Sequence, residues 1–220
     1  MRQSVNDEVK NAYDNAIVAA LHENRPVMLV HASNGSYLRP VELKGESHDK
    51  GAMLVTALDC ATKEAQGHLW YFTRGGSFGE RPLYFIESAA GQASRPAGAG
   101  DGTPGPQRRR ITVHQDAPKS EADAVQVGLL DKVGDKWRGK NGAPEDTQLW
   151  IVTVTPWGGI TFVPITHPDA ILGFKDHAVT ANSEVRITYN MAGDFTGTAI
   201  NAFYPRLPNE WNVPQSHVFT

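Results

Sequence analysis

Eight histidines and one cysteine, Cys60, are the residues of this chain best suited to acid–base, nucleophilic or metal chemistry. Their spacing matches none of the patterns that such chemistry needs. The sequence contains no H-E-x-x-H, no paired H-x-H, no G-x-S-x-G and no phosphate-binding glycine loop. The tripeptide His167-Pro168-Asp169 is too short to predict a metal site. The sequence therefore favours a binding protein, without cofactor or metal ion, over an enzyme.

The composition is that of a globular protein of 220 residues with 40% hydrophobic residues. A net charge of −3 gives no electrostatic reason to expect nucleic acid as a partner, and the Arg108-Arg109-Arg110 triplet is too local to change this. No apolar run approaches the ~20 residues that span a bilayer, and the polar N-terminus does not read as a signal peptide. A single cysteine excludes an intramolecular disulfide. We expect no membrane insertion and a protein that is cytoplasmic or released without a classical signal peptide.

A tryptophan between apolar residues ends a similar stretch of sequence three times, at Trp70, Trp150 and Trp211. Each tryptophan follows an apolar run typical of a β-strand. These runs are residues 53–58, 125–130 and 199–204. A single such unit cannot bury its apolar face alone, so its copies must pack against one another. The spacing predicts three four-stranded repeats. Their bounds are about residues 27–73, 82–153 and 159–213.

From Val27 onward, apolar and polar residues alternate with a period of two, which is typical of half-buried strands. Asn34-Gly35 supplies the left-handed backbone that a tight turn needs. Three repeats of four strands favour an all-β fold in which six strands form a barrel and three hairpins cap one end. The three tryptophans would then meet near the barrel axis.

Apolar residues recur at three- and four-residue spacing between residues 5 and 23 and predict an amphipathic helix. The helix should end at Asn24-Arg25-Pro26, because proline disfavours helical geometry in the residue before it. We therefore expect a helix and linker over residues 1–26 and one β domain over residues 27–220. The helix packs on this domain, plugs its open end, or serves as the contact of a homo-oligomer.

The segment Gln148-Leu149-Trp150 resembles the Q-x-W repeat of ricin-B-type lectins, and His68-Leu69-Trp70 and Asn209-Glu210-Trp211 resemble weaker copies of it. This resemblance implies a β-trefoil fold with an added N-terminal helix. It also implies a carbohydrate-binding, lectin-like module without enzymatic activity, whose partners are glycans or glycoproteins. In such lectins a repeat holds one sugar through an acid in its first hairpin, an aromatic residue near its third strand and an amide just before the tryptophan.

The third repeat matches this implied arrangement best, with Asp169 as the acid, Tyr204 as the aromatic residue and Asn209 as the amide, and His167 beside them. A carboxylate accepts from two hydroxyls, an amide donates and accepts, and an aromatic face covers the C–H side of a sugar. The candidates of the other repeats are Asn34, Asp59, Gln66, Trp137 and Gln148. Structural roles remain alternatives, since Asn34 suits its turn and Tyr204 suits a core.

Trp157 lies in the turn between the second and third repeats and is either an exposed aromatic residue or packed on the neighbouring repeat. Residues 95–107 and 134–146 are rich in glycine, proline and charge and read as surface loops. Two further functions stay open. A trefoil-type proteinase inhibitor would act through these protruding loops, and a targeting or accessory component of a toxin would bind its partner through the helix or the loops.

Overall fold

The computed structural model describes residues 14–42, 51–56, 68–88, 109–113, 124–133, 136–137, 145–174, 183–189 and 199–208. Within them, residues 14–21 form an α-helix, α1. The first repeat contains β1 (Val27–His31), β2 (Tyr37–Glu42), β3 (Gly51–Thr56) and β4 (Leu69–Phe78). The second contains β5 (Arg81–Ser88), β6 (Arg109–Val113), β7 (Ala124–Val133), β8 (Lys136–Trp137) and β9 (Leu149–Val154). The third contains β10 (Ile160–Pro164), β11 (Ala170–Phe174), β12 (Ser183–Tyr189) and β13 (Phe203–Arg206).

Six of these strands close into a barrel. β1 pairs with β4, β4 with β5, β5 with β9, β9 with β10, β10 with β13, and β13 pairs with β1 again. All six pairings are antiparallel. Because every barrel strand has a neighbour on both sides, the ring leaves no open sheet edge.

Three hairpins form a cap on one end of this barrel. They are β2–β3, β6–β7 and β11–β12, so each repeat contributes one hairpin. The second strands of the hairpins also pair with one another, β3 with β7, β7 with β12 and β12 with β3. This three-way pairing places the hairpins around a common axis. The two-residue strand β8 adds to the outer end of β7.

The barrel interior is filled by side chains that alternate along the strands. Trp70 and Phe72 of β4 are buried in the main core, and so are Ile160 and Phe162 of β10. The rings of Phe72 and Phe162 stack with their centres 5.9 Å apart, and Phe203 of β13 lies 5.7 Å from Phe162. The period of two in the sequence therefore corresponds to the inward face of the barrel strands.

The two described core tryptophans also fasten the cap to the barrel. The Nε1–H of Trp70 donates to the carbonyl oxygen of Leu38 in β2 at 3.0 Å. The Nε1–H of Trp150 donates to the carbonyl oxygen of Ile111 in β6 at 3.2 Å. A buried indole N–H without an acceptor costs free energy, so each bond favours one position of a cap strand over its barrel strand.

In the third repeat the corresponding aromatic residue is Phe203, which is fully buried at the start of β13. It follows Asn201, the last residue of a 3₁₀ turn, just as Trp150 follows Gln148. The expectation that residues 199–204 form the third strand of this repeat is wrong. These residues form the 3₁₀ turn and the first part of the barrel strand β13, and the third strand is β12. Phenylalanine fills the same layer because a large apolar ring is sufficient there.

The described part of the helix packs against the barrel core. Ala16, Ile17, Ala19 and Ala20 are buried, and Ile17 and Ala20 belong to the same cluster as the inward barrel side chains. The helix leads into β1 at the end of that strand which lies opposite the cap. The burial of these side chains agrees with the prediction that the helix packs on the domain. No helix in the described part of the chain is long and apolar enough to cross a membrane.

Replacement of Trp150 by alanine should lower the free energy of unfolding by about 3–5 kcal/mol, because it opens a cavity between barrel and cap. Replacement of Trp157, which is 43% exposed, should cost less than about 1 kcal/mol. Urea unfolding followed by circular dichroism measures both variants. Equal losses for the two tryptophans would contradict the assigned core layer.

Candidate functional site

The sugar-binding residues predicted for the third repeat lie near opposite ends of β10. Asp169 is exposed in the turn between β10 and β11. In this turn the His167 N–H donates to the Pro164 carbonyl at 3.0 Å, and the Ala170 N–H donates to the His167 carbonyl at 3.0 Å. Asp169 and His167 therefore lie at the end of β10 that joins the cap.

Tyr204 lies near the other end of β10, because Phe203 of β13 pairs with Ile160 at the start of that strand. Five residues of strand at ~3.3 Å each separate these levels, so Tyr204 and the Asp169 turn are about 16 Å apart along β10. The structure does not bring Tyr204 and Asp169 to the same edge of the barrel. Asn209 and Trp211 lie outside the described residues.

In the first repeat, Asn34 serves its own turn. Its Oδ1 accepts a hydrogen bond from the Ser36 backbone N–H at 2.9 Å and lies 3.1 Å from His31 Nδ1. Its carbonyl oxygen is therefore already engaged within the fold. The other two candidates of this repeat, Asp59 and Gln66, fall outside the part of the chain that the structure describes.

In the second repeat, Gln148 is fully enclosed, with 0% of its surface exposed. Neither amide atom of Gln148 has a hydrogen-bond partner among the described residues. This burial follows from its place just before Trp150 in the layer between barrel and cap, and it keeps the amide away from any ligand at the surface. Trp137 lies in β8, where its backbone pairs with Lys132. Apart from β8 and residues 145–146, the predicted loops 95–107 and 134–146 are outside the described ranges.

Trp157 and Tyr204 form a pair of aromatic side chains on the outer surface. The sequence did not predict a contact between these two residues. Their ring centres are 5.7 Å apart and the rings meet edge to face at 70°. We call them the aromatic pair. The indole also lies directly over Gly159, where any Cβ atom would overlap with the ring. Trp157 still exposes 43% of its surface, so one part of its ring system faces solvent.

The turn that carries Trp157 is held by a dense set of hydrogen bonds. The Thr155 N–H donates to the Gly159 carbonyl at 2.7 Å, and the Gly158 N–H donates to the Thr155 carbonyl at 3.0 Å. The Thr155 hydroxyl bonds both the N–H and the carbonyl of Gly159, at 2.8 and 3.1 Å. Gly158 has a φ of 87°, which completes a three-residue hairpin loop. The indole is thus presented by a preorganised turn.

A polar cluster on β5 and β6 serves the fold. Arg110 Nε donates to Glu87 Oε1 at 2.8 Å, and the Thr73 hydroxyl donates to Glu87 Oε2 at 3.1 Å. The Arg110 guanidinium also lies 3.6 Å above the centre of the Phe85 ring. Both carboxylate oxygens are therefore bonded, as a carboxylate with so little exposure requires. This cluster is no candidate for ligand binding.

His31 connects the first repeat to the third. Its Nε2–H donates to the carbonyl of Ile200 at 2.8 Å, and the Ser33 hydroxyl lies 3.1 Å from Nδ1. The ring sits between Phe174 and Phe203, with ring centres at 4.8 and 5.5 Å. Burial lowers the pKa of His31 below its ordinary value of 6.5, and the hydrogen bonds with Ile200 and Asn34 offset only part of this effect.

Metal binding receives no support within the described ranges, where no group of three or more His, Cys, Asp or Glu side chains is placed to hold an ion. Among the described residues, the aromatic pair offers a partly exposed aromatic surface to a ligand.

No family model matches the sequence, and no curated protein matches it significantly. Among solved structures, the chain is similar to the designed threefold-symmetric protein ThreeFoil, with a TM-score of 0.51 and 14% identity over 83% of this chain and 98% of that one. It is also similar to a mosquitocidal holotoxin, with a TM-score of 0.50 and 10% identity, but 83% of this chain spans only 17% of the holotoxin.

A further similar structure is the C-half of the earthworm R-type lectin in complex with GalNAc, with a TM-score of 0.45 and 13% identity over 82% of this chain and 97% of that one. At these identities the likeness concerns the fold alone. Together with the closed barrel and the three-hairpin cap, the likeness to the designed threefold-symmetric protein confirms the predicted all-β, β-trefoil fold.

The lowered pKa of His31 predicts a loss of stability in acid. His31 of the unfolded chain binds a proton near pH 6.5, whereas the folded protein binds it only at lower pH. The free energy of unfolding therefore falls as the pH drops below 6.5, and it levels off below the pKa of the folded state. Urea unfolding between pH 7.5 and 5.5 should show a slope up to about 1.4 kcal/mol per pH unit steeper than in His31→Gln. Equal slopes in the wild type and in His31→Gln would show that His31 does not titrate as described.

Replacement of Gln148 by methionine should raise the free energy of unfolding by about 1–3 kcal/mol, since an enclosed amide without partners is exchanged for an apolar side chain of similar size. Replacement by alanine should instead destabilise the protein, because it leaves a cavity. Thermal and urea unfolding compare the two variants. A methionine variant as unstable as the alanine variant would mean that the amide is well bonded.

Proposed function

We propose that this protein is a carbohydrate-binding, lectin-like module that binds glycans or glycoproteins and catalyses no reaction. The observation that carries the proposal is the aromatic pair, in which a partly exposed indole is fixed against Tyr204 on the outside of the barrel. The predicted candidates Asp169 and His167, together with Asn209, Asp59, Gln66 and Trp137, remain separate predictions for further sugar contacts.

An exposed indole suits a saccharide for a physical reason. One side of a pyranose ring presents C–H groups, and an aromatic face covers that apolar side while leaving the hydroxyls free to bond with water or polar groups. Such contacts are weak in a flexible loop, because ordering the loop offsets the gain. Here the Thr155 hydrogen bonds and Gly159 hold the indole in place before a ligand arrives.

Trp157 is partly exposed on the outer wall of the barrel, so one sugar buries little surface against it. We therefore propose weak binding by a single site and useful binding through several linked contacts, either on one glycan or on clustered glycans. The β-trefoil contributes rigidity, since the aromatic pair is anchored on strands of a closed barrel.

Replacement of Trp157 by alanine should weaken glycan binding at least about tenfold, a change of ~1.4 kcal/mol, and leave the fold intact. Glycan-array screening followed by titration of the bound sugars measures this loss. The matched control is Phe78→Ala, which removes another exposed aromatic side chain (51% exposed) from the β4–β5 hairpin and should keep wild-type binding. Blank arrays with correctly folded protein, or equal binding by the Trp157 and Phe78 variants, would refute the proposal.

A further inference from the structure

Arg206 lies on the same surface as the aromatic pair. Along β13 the buried residues Phe203 and Pro205 alternate with the half-buried residues Tyr204 and Arg206. Tyr204 and Arg206 therefore share the outer face of the strand, with their backbones ~7 Å apart. The two side chains therefore start from successive outward positions on the barrel wall.

The Trp157 turn extends toward this arginine. β10 and β13 run antiparallel and pair at Ile160 and Phe203, so the chain that precedes Ile160 runs beside the residues that follow Phe203. The turn at residues 155–159 is that preceding chain, and Arg206 is three residues beyond Phe203. The Trp157 turn, Tyr204 and Arg206 thus occupy neighbouring positions on one face of the barrel, and we call them the strip.

The residues that pair with β13 do not neutralise the charge of Arg206. In β1 it faces Met28, and the neighbouring pair on the same face is Tyr204 with Val30. Among the described residues, no ion pair joins Arg206 to a carboxylate. Arg206 thus shares the outer face of β13 with Tyr204 and has no carboxylate partner there.

We infer that this strip binds an acidic saccharide, with its pyranose ring on Trp157 and its carboxylate or sulfate accepting hydrogen bonds from Arg206. The planar guanidinium fork matches the two oxygens of such a group, and bonds of this charged kind are about twice as strong as neutral ones. The inference rests on the proposed carbohydrate binding and adds the class of sugar. The net charge of −3 gives no general attraction for anions, so the preference must come from this local contact.

The test uses three matched disaccharides: one that carries a uronic acid, the same disaccharide with its carboxyl group reduced to the alcohol, and a sulfated form of the reduced sugar. Titration calorimetry with the full chain should show at least about tenfold tighter binding of an acidic form than of the neutral one. Arg206→Gln should abolish this preference and keep the binding of the neutral sugar, and Arg206→Lys should retain part of it. Arg25→Gln, which removes an exposed arginine between α1 and β1, should change nothing.

The outcomes separate the two proposals. Equal binding of the three sugars by the wild type, with loss of binding in Trp157→Ala, overturns the acidic preference and leaves carbohydrate binding in place. An acidic preference that survives in Arg206→Gln, or that is lost in Arg25→Gln, also overturns the assignment of Arg206. Absence of binding to all three disaccharides and to a glycan array overturns both proposals. The two acidic probes decide whether the anionic group is a carboxylate or a sulfate.

Discussion

The burial of one large aromatic side chain at the start of the last strand of each repeat is the constraint on which the fold depends. Trp70, Trp150 and Phe203 are all fully buried in one cluster where the barrel meets its cap. No single repeat can enclose such a ring, so the three must close on one another to keep these surfaces from water. The two indole N–H groups then select the position of the cap strands, since they have buried acceptors only in that arrangement.

The barrel and its cap could be predicted from the sequence because both depend on local patterns. Period-two alternation gave strand positions close to those observed, with β1 at Val27–His31 and the Asn34-Gly35 turn after it. The third repeat was misread for a specific physical reason. Tryptophan marks the core layer in the first two repeats, so the sequence predicted Trp211 for the third. The layer requires only a large apolar ring, and Asn201-Ala202-Phe203 supplies it.

The candidate site was less accessible to sequence reasoning. Trp157 and Tyr204 are 47 positions apart in the sequence, and their contact exists only because β13 closes the barrel beside β10. No local pattern records the register of two such distant strands. Gln148 illustrates the opposite error, because a polar residue in a lectin-like motif suggests a ligand contact, yet its neighbours enclose it completely. Polarity and spacing indicate what a side chain can do, and only the packing shows what it faces.

Gly159 has a consequence for how surfaces of this kind arise and disappear. The indole rests on the bare backbone of this residue, and a single methyl group there would occupy the same space as the ring. A Gly159→Ala mutation would therefore displace the Trp157 side chain from this position without altering any polar group. In proteins that evolve from this chain, a glycine at position 159 would therefore indicate an intact aromatic pair more reliably than a tryptophan at position 157.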